Sequence, residues 1–157
     1  MKKLFALTIV ILLAQNVVLA QNGKSVSEKD VPERYVKDFN RQVQNVKSVK
    51  WEMIDSLVYD ACYTNDNGTR TVYRFSPKGT ETRWYIEEKY YPHAIMQTIE
   101  EMHPGHKVKE LYCLLIKNKV TYQVLVGKRK GFFTKRWKNM RYMNFEADYK
   151  FIDEIEL

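Results

Sequence analysis

The two cysteines of this 157-residue chain, Cys62 and Cys113, are its candidates for thiol chemistry. In a chain that works in an oxidising compartment, an even number of cysteines is typical of a disulfide. A catalytic thiol would need a base that keeps it deprotonated, and no sequence feature assigns one to either residue. A disulfide and two free thiols therefore remain as alternatives until the order of the strands is considered.

A second candidate site combines Glu100, His103 and His106, whose side chains are of the types that bind zinc. Glu100 and His103 would share one face of a helix. His106, however, lies beyond a Pro-Gly break, and the set lacks the spacing of known metal motifs. The sequence thus favours a solvated helix end over a metal site, and we predict no metal and no cofactor.

Segment 127–141, GKRKGFFTKRWKNMR, contains seven basic residues with aromatic residues among them. Such a composition can bind nucleic acid, an acidic protein surface, an anionic lipid or an acidic glycan. The alternative is a solvated hairpin whose aromatic side chains pack beneath it. If the hairpin binds a partner, the contact residues are predicted to be Lys128, Arg129, Lys130, Phe132, Phe133, Lys135, Arg136 and Trp137.

The scaffold for these residues begins with a helix in segment 31–49. Pro32 suits the first turn of a helix, because its missing N–H would have no partner there. Apolar residues then recur at helical spacing: Val36, Phe39, Val43 and Val46. Four alternating segments predict strands at 49–55, 57–64, 70–76 and 80–88, with turns at 65–68 and 76–79. The residues of the second strand that are predicted to face the helix are Leu57, Tyr59, Ala61 and Tyr63.

The second half of the chain follows the same plan. A proline-led helix at 92–102 places Ile95, Ile99 and Met102 on one face, and strands are predicted at 107–116, 120–127, 137–145 and 150–156. The predicted fold class is α+β: a tandem duplication of a helix plus a four-stranded antiparallel meander, forming one curved sheet with the helices on one face. In that order, Cys62 and Cys113 are three strand spacings apart, about 14 Å. A disulfide tolerates only about 7 Å between Cα atoms, so two free thiols are expected.

The N-terminal segment 1–20 is predicted to be a signal peptide, because two lysines precede an apolar run that is too short to span a membrane. Cleavage near Ala20 would leave a periplasmic or secreted chain without a transmembrane segment. Loss of the two lysines lowers the net charge from +7 to +5. The segment 21–30 is polar and is predicted to be a flexible leader.

One pattern of apolar spacings and turns extends over nearly all of the chain after residue 20, in Val31-Pro32, Phe39, Val49-Lys50-Trp51-Glu52, Tyr59-Asp60-Ala61-Cys62-Tyr63, Phe75-Ser76-Pro77-Lys78-Gly79, Tyr91-Pro92 and Tyr122-Gln123-Val124. In these residues the chain resembles the exported PepSY-like family, which is also described as β-lactamase-inhibitor-like. The resemblance implies two PepSY-like units, at 31–89 and 90–157, that make one curved sheet with helices on one face. It implies no cofactor and no established activity. It assigns no inhibitory role to any residue of this chain, because a fold does not determine a function.

These observations predict an exported, non-enzymatic protein-binding module and a candidate inhibitor of an enzyme in the same compartment. The expected partner is another exported protein, with an anionic lipid or a glycan as the alternative, and export argues against nucleic acid. Two other functions remain open. One is a structural envelope protein that docks on an anionic surface through the basic hairpin, and the other is a thiol-dependent enzyme that uses Cys62 or Cys113.

Overall fold

A computed structural model of the protein describes residues 23–129 and 136–157. The predicted signal peptide therefore lies outside the described residues. In chain order the elements are β1 Lys24–Val26, α1 Glu33–Gln42, β2 Val49–Asp55, β3 Val58–Thr64, β4 Arg70–Ser76, β5 Gly79–Tyr85, α2 His93–Met102, β6 Lys107–Ile116, β7 Lys119–Arg129, β8 Trp137–Glu146 and β9 Phe151–Glu156. Within the described ranges, no helix is long and apolar enough to cross a membrane.

The nine strands of the described residues form one antiparallel sheet in which each strand pairs with its neighbours in the chain, from β1 to β9. The predicted order of eight strands is confirmed. The additional strand β1 lies in the segment predicted to be a flexible leader, and it pairs with β2 at the edge of the sheet. Tandem duplication stays a prediction, because a repeated order of elements does not test a repeated sequence.

Helix α1 contributes Tyr35 and Phe39 to the first hydrophobic core, where Phe39 contacts Trp51 edge-to-face at 5.6 Å between ring centroids. The helix is shorter than its apolar pattern predicts. It ends at Gln42, and Val43 has extended dihedral angles. Val43 and Val46 pack against the same core from the connection to β2. Within α1 itself, the buried residues are Tyr35 and Phe39.

Helix α2 packs on the second hydrophobic core through Ile95 and Ile99, both almost completely buried. Burying each of these side chains stabilises the fold by about 1.5–3 kcal/mol. Two predicted core residues are wrong. Met102 is 41% exposed because it lies on the last turn of α2, and Leu57 is 57% exposed because it lies in the turn between β2 and β3.

Both cores lie on the same face of the sheet. Alternate residues of a strand point to opposite faces, and cross-strand pairing continues the face of Ala61 through Tyr73, Thr82 and Leu115 to the face of Leu111. The prediction of helices on one face is therefore confirmed. We call the opposite side the helix-free face. The residues on it that matter below are Lys50, Glu52, Asp60, Cys62, Val72, Arg74, Glu81, Arg83, Tyr85, Tyr112, Leu114, Gln123, Leu125, Tyr142 and Asn144.

Candidate functional site

The predicted basic hairpin is described in part. Lys130, Phe132, Phe133 and Lys135 lie outside the described residues. Lys128 and Arg129 belong to the end of β7, which runs two residues beyond its predicted end, and Arg136 directly precedes β8. Arg129 and Arg136 are exposed, whereas Lys128 is partly buried. The binding role of these residues stays a prediction.

Trp137 has a packing contact that the sequence did not reveal. Gly127 is buried, and a Cβ atom there would lie 3.2 Å from the Trp137 ring and 3.1 Å from the Met140 side chain. The guanidinium carbon of Arg129 lies 5.5 Å from the centre of the same ring. The glycine thus leaves the space that Trp137 occupies, which favours a structural part for this tryptophan within the hairpin.

The helix-free face contains a buried ion pair between Asp60 on β3 and Arg74 on β4. Arg74 donates through Nε and Nη2 to the two carboxylate oxygens, each at 2.6 Å, and both residues are 5% exposed. Burial works to lower the pKa of Arg74, but the hydrogen bonds and charge of Asp60 outweigh it and raise the pKa. The Nη1 atom of Arg74 is buried without a hydrogen-bond partner among the described residues.

Two further ion pairs flank this pair on the same face. Lys50 Nζ lies 2.6 Å from Glu52, and Arg83 pairs with Glu81 on β5. Paired side chains of this kind neutralise each other, so this part of the face presents ordered polar groups with little net charge. Fixed polar groups of this type lower the entropy lost when a partner binds.

The two cysteines lie apart, as predicted. Cys62 is on β3 and points to the helix-free face, whereas Cys113 is on β6 and points to the helix side, and both are free thiols. Burial, with the nearby carboxylates second, raises the pKa of Cys62 to about 11, and burial also raises the pKa of Cys113. A thiol held protonated at neutral pH is a poor nucleophile, which disfavours the thiol-enzyme hypothesis.

The centre of the helix-free face is apolar. Leu125 and Tyr142 are 2% and 3% exposed, and Val72 and Leu114 are also buried, although α1 and α2 both pack on the other side. Beside them, Gln123 donates to Asn144 at 3.1 Å. An antiparallel sheet that turns one face to water ordinarily alternates apolar and polar residues. The apolar centre of the helix-free face departs from that pattern.

Within the candidate metal set, His103 and His106 are neighbours, with 5.2 Å between their ring centroids, but His103 pairs with Glu154 rather than with Glu100. His103 Nε2 lies 2.5 Å from Glu154, and Arg141 donates to the other oxygen of Glu154 at 2.7 Å. The end of α2 is largely exposed, as the solvated helix end predicts, whereas His106 beyond it is buried. Among the residues that the structure describes, no group of three His, Cys, Asp or Glu side chains could hold a metal ion. Sequence spacing could not reveal Glu154, which lies 51 residues after His103.

Partial burial works to raise the pKa of Glu154. The hydrogen bonds and charges of His103 and Arg141 outweigh this effect, and the pKa lies below its ordinary value. This ion pair ties the connection after α2 to β8 and β9. It is a structural contact at the helix side of the sheet, away from the helix-free face.

Comparisons with known proteins concern the fold. No family model matches the chain, and no curated protein matches it. A solved structure of a BLIP-like protein from Bacteroides fragilis NCTC 9343 is similar, with a TM-score of 0.60 and 17% identity. The similarity covers 81% of this chain and 87% of that protein. At this identity it shows a BLIP-like fold alone. It supports the β-lactamase-inhibitor-like part of the predicted resemblance at the level of fold, and it does not bear on the PepSY-like part.

Proposed function

We propose that this protein is an exported, non-enzymatic protein-binding module that covers part of a partner protein with its helix-free face, in the manner of an inhibitor. The observation that carries the proposal is the pair of half-buried aromatic side chains Tyr85 and Tyr112, which lie next to the buried apolar centre of that face and to its ion pairs. Protein interfaces combine an apolar centre with a polar rim in this way. The BLIP-like fold is consistent with such a module.

The contact layer of the face would be formed by its half-buried aromatic side chains. Tyr85 and Tyr112 meet edge-to-face at 5.8 Å between ring centroids, and the Tyr112 hydroxyl donates to Glu110 at 3.1 Å. Tyrosine supplies a large contact area with few rotatable bonds, so its immobilisation costs little entropy. The buried side chains of Leu114 and Leu125 beneath would keep this layer in place.

The basic hairpin would adjoin this surface, because β7 and β8 continue from Leu125 and Tyr142 into Lys128, Arg129 and Arg136. Without residues 1–20, which carry Lys2 and Lys3, the net charge falls from +7 to +5. Long-range attraction would raise the rate of encounter with an acidic partner, whereas the aromatic contacts would set the lifetime of the complex. Rising salt should therefore slow association more than it changes dissociation.

The proposal is tested in two steps with the mature chain, residues 21–157. A pull-down from the exported fraction of the producing cells identifies a partner by mass spectrometry. Binding of the purified partner is then measured for Tyr112→Ala and for Lys128→Ser combined with Arg129→Ser and Arg136→Ser. Lys37→Ser on the exposed side of α1 is the control.

We expect Tyr112→Ala to weaken binding by about 30-fold, as truncation of a central aromatic contact does. The hairpin variant should mainly slow association, and the control should bind like the native chain. Equal affinity of all the variants would refute the proposal for both surfaces. A loss confined to the hairpin variant would move the binding site from the helix-free face to the hairpin.

A direct assay addresses the inhibitor part of the proposal. The purified mature chain is titrated against a β-lactamase with a chromogenic substrate, because the similar solved structure is a BLIP-like protein. Loss of hydrolysis that Tyr112→Ala reverses would identify the enzyme class. Unchanged hydrolysis would exclude that β-lactamase as the partner. The pull-down would then have to identify a different partner protein.

A further inference from the structure

A groove of about 530 Å³ opens at the end of the sheet where the β3–β4 turn meets the segment that follows β5. Its lining includes Asn67, Thr69 and Arg70 from the β3–β4 turn and the start of β4, and Trp84, Tyr85 and Tyr90 from the end of β5 and the segment after it. Its volume falls within the range of about 300–1,000 Å³ that small-molecule sites occupy. None of the described residues of the predicted hairpin and none of Glu100, His103 and His106 is among its lining residues.

The polar part of the lining is the β3–β4 turn, which is held together by its own hydrogen bonds. The Thr69 N–H is within hydrogen-bond distance of the Oδ1 atoms of Asn65 and Asn67, at 2.8 and 3.0 Å, and Asn65 N–H donates back to Thr69 O. Gly68 has a φ of 85°, which lets the chain reverse there. Both asparagines therefore use their carbonyl oxygens within the turn. Their Nδ2 groups have no acceptor among the described residues and remain available to a ligand.

The lining also includes aromatic residues. Tyr90 is 68% exposed, and Lys89 Nζ lies 4.9 Å from its ring centroid. Trp84 and Tyr85 are half-buried and line the same groove from successive positions of β5, so their side chains point to opposite faces of the sheet. An aromatic ring left this open to water can stack on the C–H face of a pyranose, whose hydroxyls then point sideways to hydrogen-bonding groups. Asn65 and Asn67 line the same groove as Tyr90.

The unmatched charge of the groove is positive. Glu87 is already paired with Lys89 at 2.9 Å. Arg70 is exposed and makes no hydrogen bond or ion pair with any residue that the structure describes. A guanidinium without a partner is suited to bidentate pairing with a carboxylate.

We propose that this groove binds an acidic sugar, a pyranose that carries a carboxylate. Tyr90 supports the C–H face of the ring, Arg70 pairs with the carboxylate, and the amides of Asn65 and Asn67 donate to hydroxyls. This site shares Tyr85 with the proposed contact layer of the helix-free face, but it does not depend on the proposed protein-binding function. It would persist if every test of the helix-free face failed, because its discriminating residues, Arg70 and Tyr90, are not the ones altered there.

The test titrates the mature protein with glucuronic acid and with glucose, and follows tryptophan fluorescence and calorimetric heat. Trp84 lines the groove, so Trp84→Phe should remove the fluorescence change while the heat remains. Glucuronic acid should bind, and glucose should bind at least about tenfold more weakly because it lacks the charge-assisted contact. N-acetylmuramic acid and a short acidic peptide are titrated in parallel.

Variants separate the two contacts. Arg70→Gln should weaken glucuronic acid binding about tenfold or more and should abolish the preference over glucose. Lys117→Gln, the same loss of charge at the far end of the sheet, should change neither. Tyr90→Ser should weaken both sugars, and Tyr90→Phe, which keeps the ring, should restore binding.

Four outcomes would overturn the proposal: no heat with either acidic sugar, glucose bound as tightly as glucuronic acid, Arg70→Gln without effect, or the acidic peptide bound more tightly than the sugars. Both Arg70 and Tyr90 are exposed, so their variants should fold, and circular dichroism checks this.

Discussion

Replacing Asp60 by leucine removes the charge that compensates Arg74 within the helix-free face. Arg74 would then keep its positive charge at a site that is 5% exposed, and it would lose both of its 2.6 Å hydrogen bonds. Removing one partner of a buried ion pair typically costs about 3–5 kcal/mol. Glu81 lies near enough to raise the pKa of Arg74 as well. We therefore expect the lower end of that range, about 3 kcal/mol.

The double variant Asp60→Leu with Arg74→Met should behave differently. It removes both charges, and it also removes Nη1 of Arg74, which has no partner in the described parts of the chain and carries a desolvation cost. Replacing a buried pair by apolar side chains of similar volume is often neutral. The free energy of unfolding of the double variant should thus lie within about 1 kcal/mol of the native value. The coupling energy between Asp60 and Arg74 should then be about 3 kcal/mol or more.

Urea denaturation followed by far-ultraviolet circular dichroism measures this cycle, provided that the slope of the transition is unchanged. The exposed pair of Glu33 and Lys37, with its side chains 80% and 73% exposed, is the control cycle. Its coupling energy should be within about 0.5 kcal/mol. Two results would contradict this reasoning: Asp60→Leu lowers the free energy of unfolding by less than about 1 kcal/mol, or the effects of Asp60→Leu and Arg74→Met add. Either would mean that the pair is solvated.

Three further predictions concern pH, packing and thiols. Burial lowers the pKa of His106 from 6.5, so the unfolded chain takes up the proton first and stability should fall as the pH drops below 6.5. Urea titrations at neutral pH and at about pH 5 should show this loss, and an equal loss in His106→Gln would contradict the assignment. Gly127→Val should clash with Trp137 and lower the free energy of unfolding by about 1–3 kcal/mol, whereas an unchanged urea midpoint would mean that the hairpin shifts freely. Thiol labelling of unfolded, unreduced protein should count two free sulfhydryls, Cys62 and Cys113, and protected thiols at monomeric mass would be inconsistent with the strand order.

Local patterns in the sequence determined the elements and their order. The alternation of Tyr59 and Ala61 identified a strand and its core face, and Gly68 marked a turn that needs a positive φ. The connections within β2–β5 are short, so each of these strands pairs with its neighbour in the chain, whereas the pairing of β5 with β6 spans α2. The resulting strand order separates Cys62 on β3 from Cys113 on β6. These features were predictable because they depend on residues a few positions apart.

The tertiary structure decided which distant side chains meet. The pairing of Asp60 with Arg74 depends on cross-strand register, and that of His103 with Glu154 depends on where α2 rests on the sheet. The groove is lined by Arg70 at the start of β4 and by Tyr90 in the segment after β5. A period of two residues tells which face a side chain takes, but it does not tell which residue of the next strand stands opposite. The candidate sites lie in those cross-strand contacts, and for that reason only the folded chain reveals them.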